Sequence, residues 1–349
     1  MQSPWDYPDF DDHEVVHFVT DRESGLRAII AVHSTHLGPG AGGTRFWHYE
    51  QSGDAVADAL RLSRGMSYKN AMAGLPLGGG KAVILADKDR TKTEAMLVAY
   101  GRAVDRLGGA YITAEDVGIG VADLVTVSKH TRHVAGLPAA EGEVGGDPGP
   151  HTAYGIFLGV KAAARRALGK DSLAGLHIAI QGAGSVAGGL ARHAAAEGAR
   201  LSIADIDAAR AQKLAAEVGG TVVDPGDILT LEADVLSPCA LGAILTEQSI
   251  AALRVPVVAG AANNQLATPQ DGDRIAARGI LYAPDYVINA GGIINVSSEH
   301  LGDADEAGVK ARIEKIPGRL DAIWEESEST GRNPAEVADA MAQRLIGRG

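Results

Sequence analysis

Residues 176–205 constrain this chain more than any other stretch. The apolar run LHIAI leads into the turn Gly182-Ala183-Gly184-Ser185-Val186-Ala187. A small-residue helix, SVAGGLARHAAAEG, and a second apolar run, RLSIA, then lead to Asp205. A G-x-G-x-x-[GA] turn between strand and helix, with an acid about 20 residues on, is a dinucleotide fingerprint. Gly182 permits the tight turn, Gly184 lets backbone approach a pyrophosphate, and Ala187 is small enough for helix to pack on strand. The helix start, from Ser185 and Val186, offers unpaired N–H groups and a positive dipole end to phosphates. Asp205 would accept ribose hydroxyls and repel a 2′-phosphate, which favours NAD over NADP. Strand-like TVVD, ADVLSPC, VPVVAGA and ILYAP alternate with helical DAARAQKLAAEVGG and TEQSIAAL. That alternation predicts a parallel, doubly wound sheet.

The region upstream is organised differently. HEVVHFVTDRESGLRAIIAVHS reads as a hairpin about DRESG, and SGDAVADALRLSRGMSYKNAMAG as a helix capped by Ser52 or Asp54. LPLGGG breaks the chain before a strand, KAVILAD. TKTEAMLVAYGRAVDRLGG is a helix, AYITAED a strand and VADLVTVSKH a short helix. Residues 135–150, AGLPAAEGEVGGDPGP, carry no period and make the best domain boundary. The expected architecture is therefore α/β in two domains with a cleft between. Residues 1–134 form one domain and residues 135–320 a Rossmann-like NAD-binding domain. From about Asp303 the tail reads as two charged amphipathic helices, of which about 321–349 return to the first domain.

Other readings fail on physical grounds. With 32 basic and 44 acidic residues the net charge is −12, so no basic surplus exists for nucleic acid or anionic membrane. The single Cys239 cannot form an intrachain disulfide and reads as a small core residue. The acidic start carries no signal peptide and no apolar run is long enough to span a bilayer, which points to the cytoplasm. His13-Glu14-Val15-Val16-His17 matches a zinc motif in letters only. In a strand its two histidines stand about 13 Å apart, too far for one metal. Gly78-Gly79-Gly80-Lys81 is not a P-loop, because Leu75 and Ala82 stand where it needs glycine and a hydroxyl.

Three ionisable groups border glycine-rich segments: Lys69 near a helix end, Lys81 after three glycines, and Asp116 after a strand. Taken alone they read equally as surface charges. Their surroundings do not: LGPGAGGTRFW (37–47), GMSYKNAMAGLPLGGGKAVI (65–84), YITAEDVG (111–118), TAYG (152–155), QGAGSVA (181–187), SPCALGA (237–243), AGAANNQL (259–266) and YAPDYVINAGGIINV (282–296). Through these motifs the chain, from about Val15 to Gly331, resembles the Glu/Leu/Phe/Val dehydrogenases. The resemblance implies reversible oxidative deamination, in which an L-amino acid, NAD⁺ and water give a 2-oxo acid, ammonium and NADH. It implies a homo-oligomer, a dimer or larger, assembled through the first domain, and no metal.

The resemblance also implies roles. Lys69 would bind the substrate α-carboxylate with help from Asn263, and Lys81 would activate water. Asp116 would exchange a proton with the amino group, Thr152 would sit beside the nicotinamide amide, and backbone at Gly42 and Gly43 would line the amino-acid site. Lys81 needs a lowered pKa to act as a base, and burial with Lys69 nearby would lower it while ionised Asp116 opposes. The side-chain pocket would consist of Ala41, Ala114, Ile293 and Val296. Ala114 at its floor favours branched aliphatic substrates, whereas the small Ala41 leaves room for phenylalanine as the alternative. A catalytically silent NAD-binding regulator would show erosion at Lys69, Lys81 or Asp116, and none is eroded.

Overall fold

In the computed structural model, which describes residues 3–89, 91–138 and 146–349, the glycines before Lys81 lie inside a strand rather than ahead of one. They belong to the first of two units, made of Met1–Gly146, Val296–Glu306 and Ala342–Gly349. Its strands are β1 (Val15–Asp21), β2 (Leu26–Ser34), β3 (Gly40–Trp47), β4 (Gly78–Leu85) and β5 (Tyr111–Ala114), in the order β1-β2-β4-β3-β5. Its first helices are α1 (Ser52–Ala73), α2 (Glu94–Asp105) and α3 (Val121–Ser128). The expected hairpin forms, with Val15 opposite Val32. β2 runs antiparallel to β4, while β3 runs parallel to both β4 and β5.

Period-two alternation divides β4 between two cores. Ala82 and Ile84 join Ile30, Val32, Phe46 and Tyr111 in a core closed by Leu97, Tyr100, Leu124 and Val127. Val83 joins Ile29 and Ala31 against Ala55, Val56, Ala59 and Leu60 of α1. Lys81, two residues from Val83, therefore projects on the α1 side. The strand begins at Gly78 because its neighbours leave no space for side chains. A Cβ at Gly79 would strike the backbone and hydroxyl of Ser67 and the carbonyl of Ser63, and one at Gly78 the carbonyl of Ser34. Bare backbone lets β4 pair with Ala41 and Ser34 and lets α1 rest directly on it. Neither Ser52 nor Asp54 caps α1. Gln51 is the cap residue, and its carbonyl accepts the Asp54 amide at 3.1 Å. The helix ends at Gly74, whose φ of 68° suits glycine.

The first unit is drawn together by its last residues. The Arg348 guanidinium donates to the carbonyls of Asp12 at 2.8 Å and His33 at 2.7 Å, and to that of Asp11. The buried His33 ring meets Ser67 Oγ at 2.8 Å and Asp11 Oδ2 at 3.0 Å. Gln343 donates to the Tyr68 hydroxyl at 3.0 Å.

The second unit comprises Asp147–Asn295 and Ala307–Met341. It begins with α4 (Gly149–Leu168), β6 (His177–Gln181), α5 (Ser185–Ala196), β7 (Arg200–Ala204), α6 (Ala208–Val218) and β8 (Thr221–Val222). β9 (Val235–Pro238), α7 (Glu247–Ala252), β10 (Val257–Val258), α8 (Gln270–Ala277), β11 (Leu281–Tyr282) and α9 (Asp285–Ile288) follow. The sheet order is β11-β10-β9-β6-β7-β8 and every neighbouring pair is parallel. The order reverses beside β6, and ligands of such sheets bind at the carboxyl ends of strands at that switch point.

Of the expected boundary run, residues 139–145 lie outside the described residues. After α10 (Gly291–Leu301) the tail forms three helices, not two: α11 (Glu306–Ile313), α12 (Ile316–Thr330) and α13 (Pro334–Leu345). Helix α12 belongs to the second unit. It buries Ile316, Leu320, Ile323 and Trp324, and the Trp324 indole donates to the Tyr282 carbonyl at 2.9 Å. Only Val296–Glu306 and Ala342–Gly349 lie in the first unit, a different set from the expected 321–349. Among the described residues no helix is long and apolar enough to cross a membrane.

Candidate active site

Lys81 is 6% exposed, and its Nζ stands 2.6 Å from Asp116 Oδ2. The same oxygen accepts from Arg45 Nε at 3.1 Å. Arg45, on β3, also donates through its NH1 to Asp58 Oδ2 on α1 at 2.8 Å. The Tyr49 hydroxyl donates to that oxygen at 2.6 Å, and Arg61 holds Asp58 Oδ1 at 2.9 Å. Two carboxylates and three cations thus form one network, Lys81–Asp116–Arg45–Asp58–Arg61. Asp116 is placed by a tight turn after β5, closed by the Ile119 amide donating to its carbonyl at 2.9 Å. Gly118 takes φ 81° in that turn and lies against the Phe46 carbonyl, where a Cβ would not fit.

Burial pushes the Lys81 ammonium pKa down, and the positive charge of Arg45 lowers it further against the opposing pull of Asp116. Burial pushes Asp116 up, but Lys81 and Arg45 outweigh it and hold the carboxyl below its ordinary value. The guanidinium of Arg45, which the sequence did not single out, is a cation that acts on Lys81. Arg45, Asp58 and Tyr49 were missed in the sequence. The available signal was a charged residue inside an otherwise apolar and glycine-rich strand, GAGGTRFW.

The glycines and pocket residues fall as follows. A Cβ at Gly42 would strike the Gly80 carbonyl, and one at Gly43 the Glu115 carbonyl and, at 2.9 Å, Asp116 Cβ. Bare backbone therefore runs beside the carboxylate. Ala41 lies opposite Ile112, and Gly43 opposite Ala114, so Ala41 and Ala114 share one face of the β3–β5 pair. Lys69 is half-buried in the last turns of α1. Val296 is half-buried in the first unit, and Ile293 is half-buried in the second. Also in the second unit, exposed Asn263 accepts at Oδ1 from Asn289 at 2.8 Å, and Thr152 Oγ1 donates to the Pro148 carbonyl at 3.0 Å.

The fingerprint turn joins β6 to α5. Gly182 has φ 105° and packs against Ala240 and Cys239, and its amide donates to the Ala204 carbonyl at 2.6 Å. Gly184 caps α5, and the space where its Cβ would be is open. The following amides, from Ser185 to Ala187, start the helix without helical acceptors. Ala187 is 1% exposed, as close packing of helix on strand requires. Asp205, just after β7, accepts the Ala183 amide at 2.7 Å through Oδ2 and the Asp207 amide at 2.8 Å through Oδ1. Its charge is thereby anchored beside the turn. An open cradle at Gly184, first-turn amides and an adjacent carboxylate fit the pyrophosphate and ribose of a dinucleotide.

Two other motifs take structural roles. His13 is buried ahead of β1, with Nε2 3.0 Å from both the Leu60 carbonyl and Ser63 Oγ. Cys239 follows β9, its Sγ 3.4 Å from Ser237 Oγ, and burial pushes its thiol pKa up.

Residues 13–133 match the family described as Glu/Leu/Phe/Val dehydrogenase, dimerisation domain, and residues 202–345 match Glutamate/Leucine/Phenylalanine/Valine dehydrogenase. The chain is 48% identical over 337 residues to a leucine dehydrogenase of Bacillus subtilis (strain 168), covering 97% of this chain and 92% of that protein. It is 45% identical to a valine dehydrogenase of Streptomyces albus, covering 96% and 92%. The crystal structure of L-tryptophan dehydrogenase from Nostoc punctiforme superposes with a TM-score of 0.86 at 42% identity, covering 96% of each chain.

Proposed function

This chain belongs to the Glu/Leu/Phe/Val dehydrogenase family, and from that premise we propose that it catalyses NAD-dependent oxidative deamination of a branched aliphatic L-amino acid. The observation that carries the reading is the buried Lys81 bonded to Asp116, both within the region that matches the family. When bound, the nicotinamide accepts the hydride from the α-carbon. In this reading the dinucleotide is held by Gly182, Ala183, Gly184, Ser185, Val186, Ala187 and Asp205, with Thr152 toward its amide. Lys69 and Asn263 hold the α-carboxylate, and Gly42 and Gly43 supply close backbone. Asp116, ionised, takes a proton from the substrate ammonium. Lys81, its pKa lowered, takes a proton from water as the water attacks the imino carbon; Asp116 returns its proton to the nitrogen of the resulting carbinolamine, the C–N bond breaks, and the departing ammonia takes the hydroxyl proton as the carbonyl forms. The family description of the first region as a dimerisation domain supports an oligomer built through it.

The substrate reading rests on Ala114. Ala41 favours the competing one, an aromatic side chain, because it leaves space at the pocket side. The test is NADH absorbance with NAD⁺ and a panel of leucine, valine, isoleucine, phenylalanine and tryptophan at alkaline pH. Highest kcat/KM for an aliphatic member is expected. Preference for an aromatic member would replace the substrate reading, and no reduction with any member would overturn the function.

A further inference from the structure

We infer that Arg45 is a positioning residue: by sharing Asp116 Oδ2 with Lys81, it leaves the lysine free to give up its proton. The inference rests on the proposed role of Lys81 as the base. A lone lysine bonded to a buried carboxylate is a poor base. Its deprotonation would strand an unpaired negative charge, and a buried pair resists that strongly. Here deprotonation strands nothing. Arg45 stays charged at any working pH and still donates to Asp116 at 3.1 Å after Lys81, at 2.6 Å, has become neutral.

The guanidinium is also held so that it cannot swing away. Asp58 binds its other side at 2.8 Å, and Tyr49 and Arg61 fix Asp58 at 2.6 and 2.9 Å. The charged or titratable groups joined to the pair are Arg45 from β3, Asp58 and Arg61 from α1 and Tyr49 after β3, and Lys69, also on α1, is the further cation that the proposed function places at this site. Among the joined groups the cation nearest the shared carboxylate, after Lys81 itself, is Arg45. Its charge depresses both Lys81 and Asp116, the two shifts a base and an ionised carboxylate need together. Arg45 itself is raised, chiefly by Asp116 and Asp58 against the opposing effect of burial, so it does not titrate in their place.

Two readouts test this in Arg45→Gln, Arg45→Lys and Asp58→Asn. One is the pH profile of kcat/KM for the preferred amino acid. The other, independent of turnover, is the pH dependence of Lys81 acylation by a small amine-reactive acyl donor such as acetic anhydride, which releases acetate, followed by mass spectrometry. In Arg45→Gln the Lys81 ionisation should rise by about one pH unit, the low end of the effect of a neighbouring charge. Turnover near neutral pH should fall about tenfold and recover at higher pH. Arg45→Lys should restore most of the profile, and Asp58→Asn, which removes a negative charge that raises Lys81, should shift it slightly the opposite way. A purely structural role would lower kcat at every pH without moving either profile, and unmoved profiles in Arg45→Gln would overturn the inference. A shifted acylation profile in a protein that reduces NAD⁺ with no amino acid would keep the inference about Lys81 ionisation and remove the proposed function.

Discussion

Replacing Gly79 by alanine sets two effects of one methyl group against each other. Gly79 is not among the glycines with positive φ, so alanine can adopt its backbone conformation. The stiffer unfolded chain then favours alanine by about 0.4–1 kcal/mol. Against this, the new Cβ would sit about 1 Å inside van der Waals separation from Ser67 and Ser63 of α1. Overpacking costs roughly 1–3 kcal/mol, and the upper end applies because the obstructing atoms are mostly helix backbone. The net loss is about 2 kcal/mol, or roughly thirtyfold in the opening equilibrium of β4 and α1. Amide hydrogen exchange in those two elements reads it directly. The KM for the amino acid should rise as well, because α1 carries Lys69. Gly65→Ala is the contrast, since a Cβ there meets nothing within 4 Å in the same helix. It should stabilise by about 0.8–1 kcal/mol, slowing opening about fourfold. Exchange in Gly79→Ala that is unchanged or slower than wild type would refute the argument that these glycines exist for close packing.

Lys81→Ala should leave NAD binding nearly intact and lower kcat by ~10²–10⁴, as loss of a general base does; single-turnover and cofactor-binding measurements check it, and a wild-type kcat would remove the assigned role. Asp205→Ala should weaken NAD and relax discrimination against NADP, because the ribose partner and the charge that repels a phosphate are both lost; the ratio of kcat/KM for the two cofactors decides. Ala114→Gly should raise kcat/KM for phenylalanine relative to leucine by about tenfold, the low end of what one methylene is worth in an apolar pocket; an unchanged ratio would mean that Ala114 is not the pocket floor. Acid should loosen the contact of Arg348 with His33. Burial lowers the His33 pKa from 6.5 to about 4, so the unfolded chain binds the proton more tightly and stability falls as pH drops from 6.5 toward 4; the protection of β2 amides, corrected for the intrinsic exchange rate at each pH, should fall over that window and stay constant above it.

Most elements of the second unit were legible because its strands and helices announce themselves locally; α8 and α9 were not read. LHIAI, the glycine turn and the small-residue helix give three consistent signals within residues 176–198, and the parallel pairing follows from alternation. The first unit hid more. Three glycines in a row read as a break, yet Gly78, Gly79 and Gly80 are strand, because what they accommodate is Ser34, Ser63, Ser67 and Tyr111, residues far away in sequence. Lys81 and Asp116 could be singled out by resemblance, but the partner they share could not. Arg45 reaches Asp116 across 71 positions and Asp58 across 13, and no local pattern encodes that meeting. The tail misled for a similar reason. Its charged helical pattern is clear, but which unit α12 joins is shown by distant contacts, those of Trp324 with Tyr282 and Asp321 with Arg165 among them.

The clasp of Arg348 on Asp11, Asp12 and His33 has a consequence for how the protein is made. Chains emerge from the ribosome N-terminus first, and domains tend to fold as units as they emerge. The first unit cannot follow that course to completion. Its sheet is translated early, but Ala342–Gly349 is made only after all of Asp147–Met341. Until then the carbonyls of Asp11, Asp12 and His33 lack their guanidinium, and Tyr68 lacks Gln343. The second unit waits as well, since α12 with Trp324 is translated after its sheet. Synthesis halted before α12 leaves both units incomplete, whereas a halt between Met341 and Gly349 leaves only the first so.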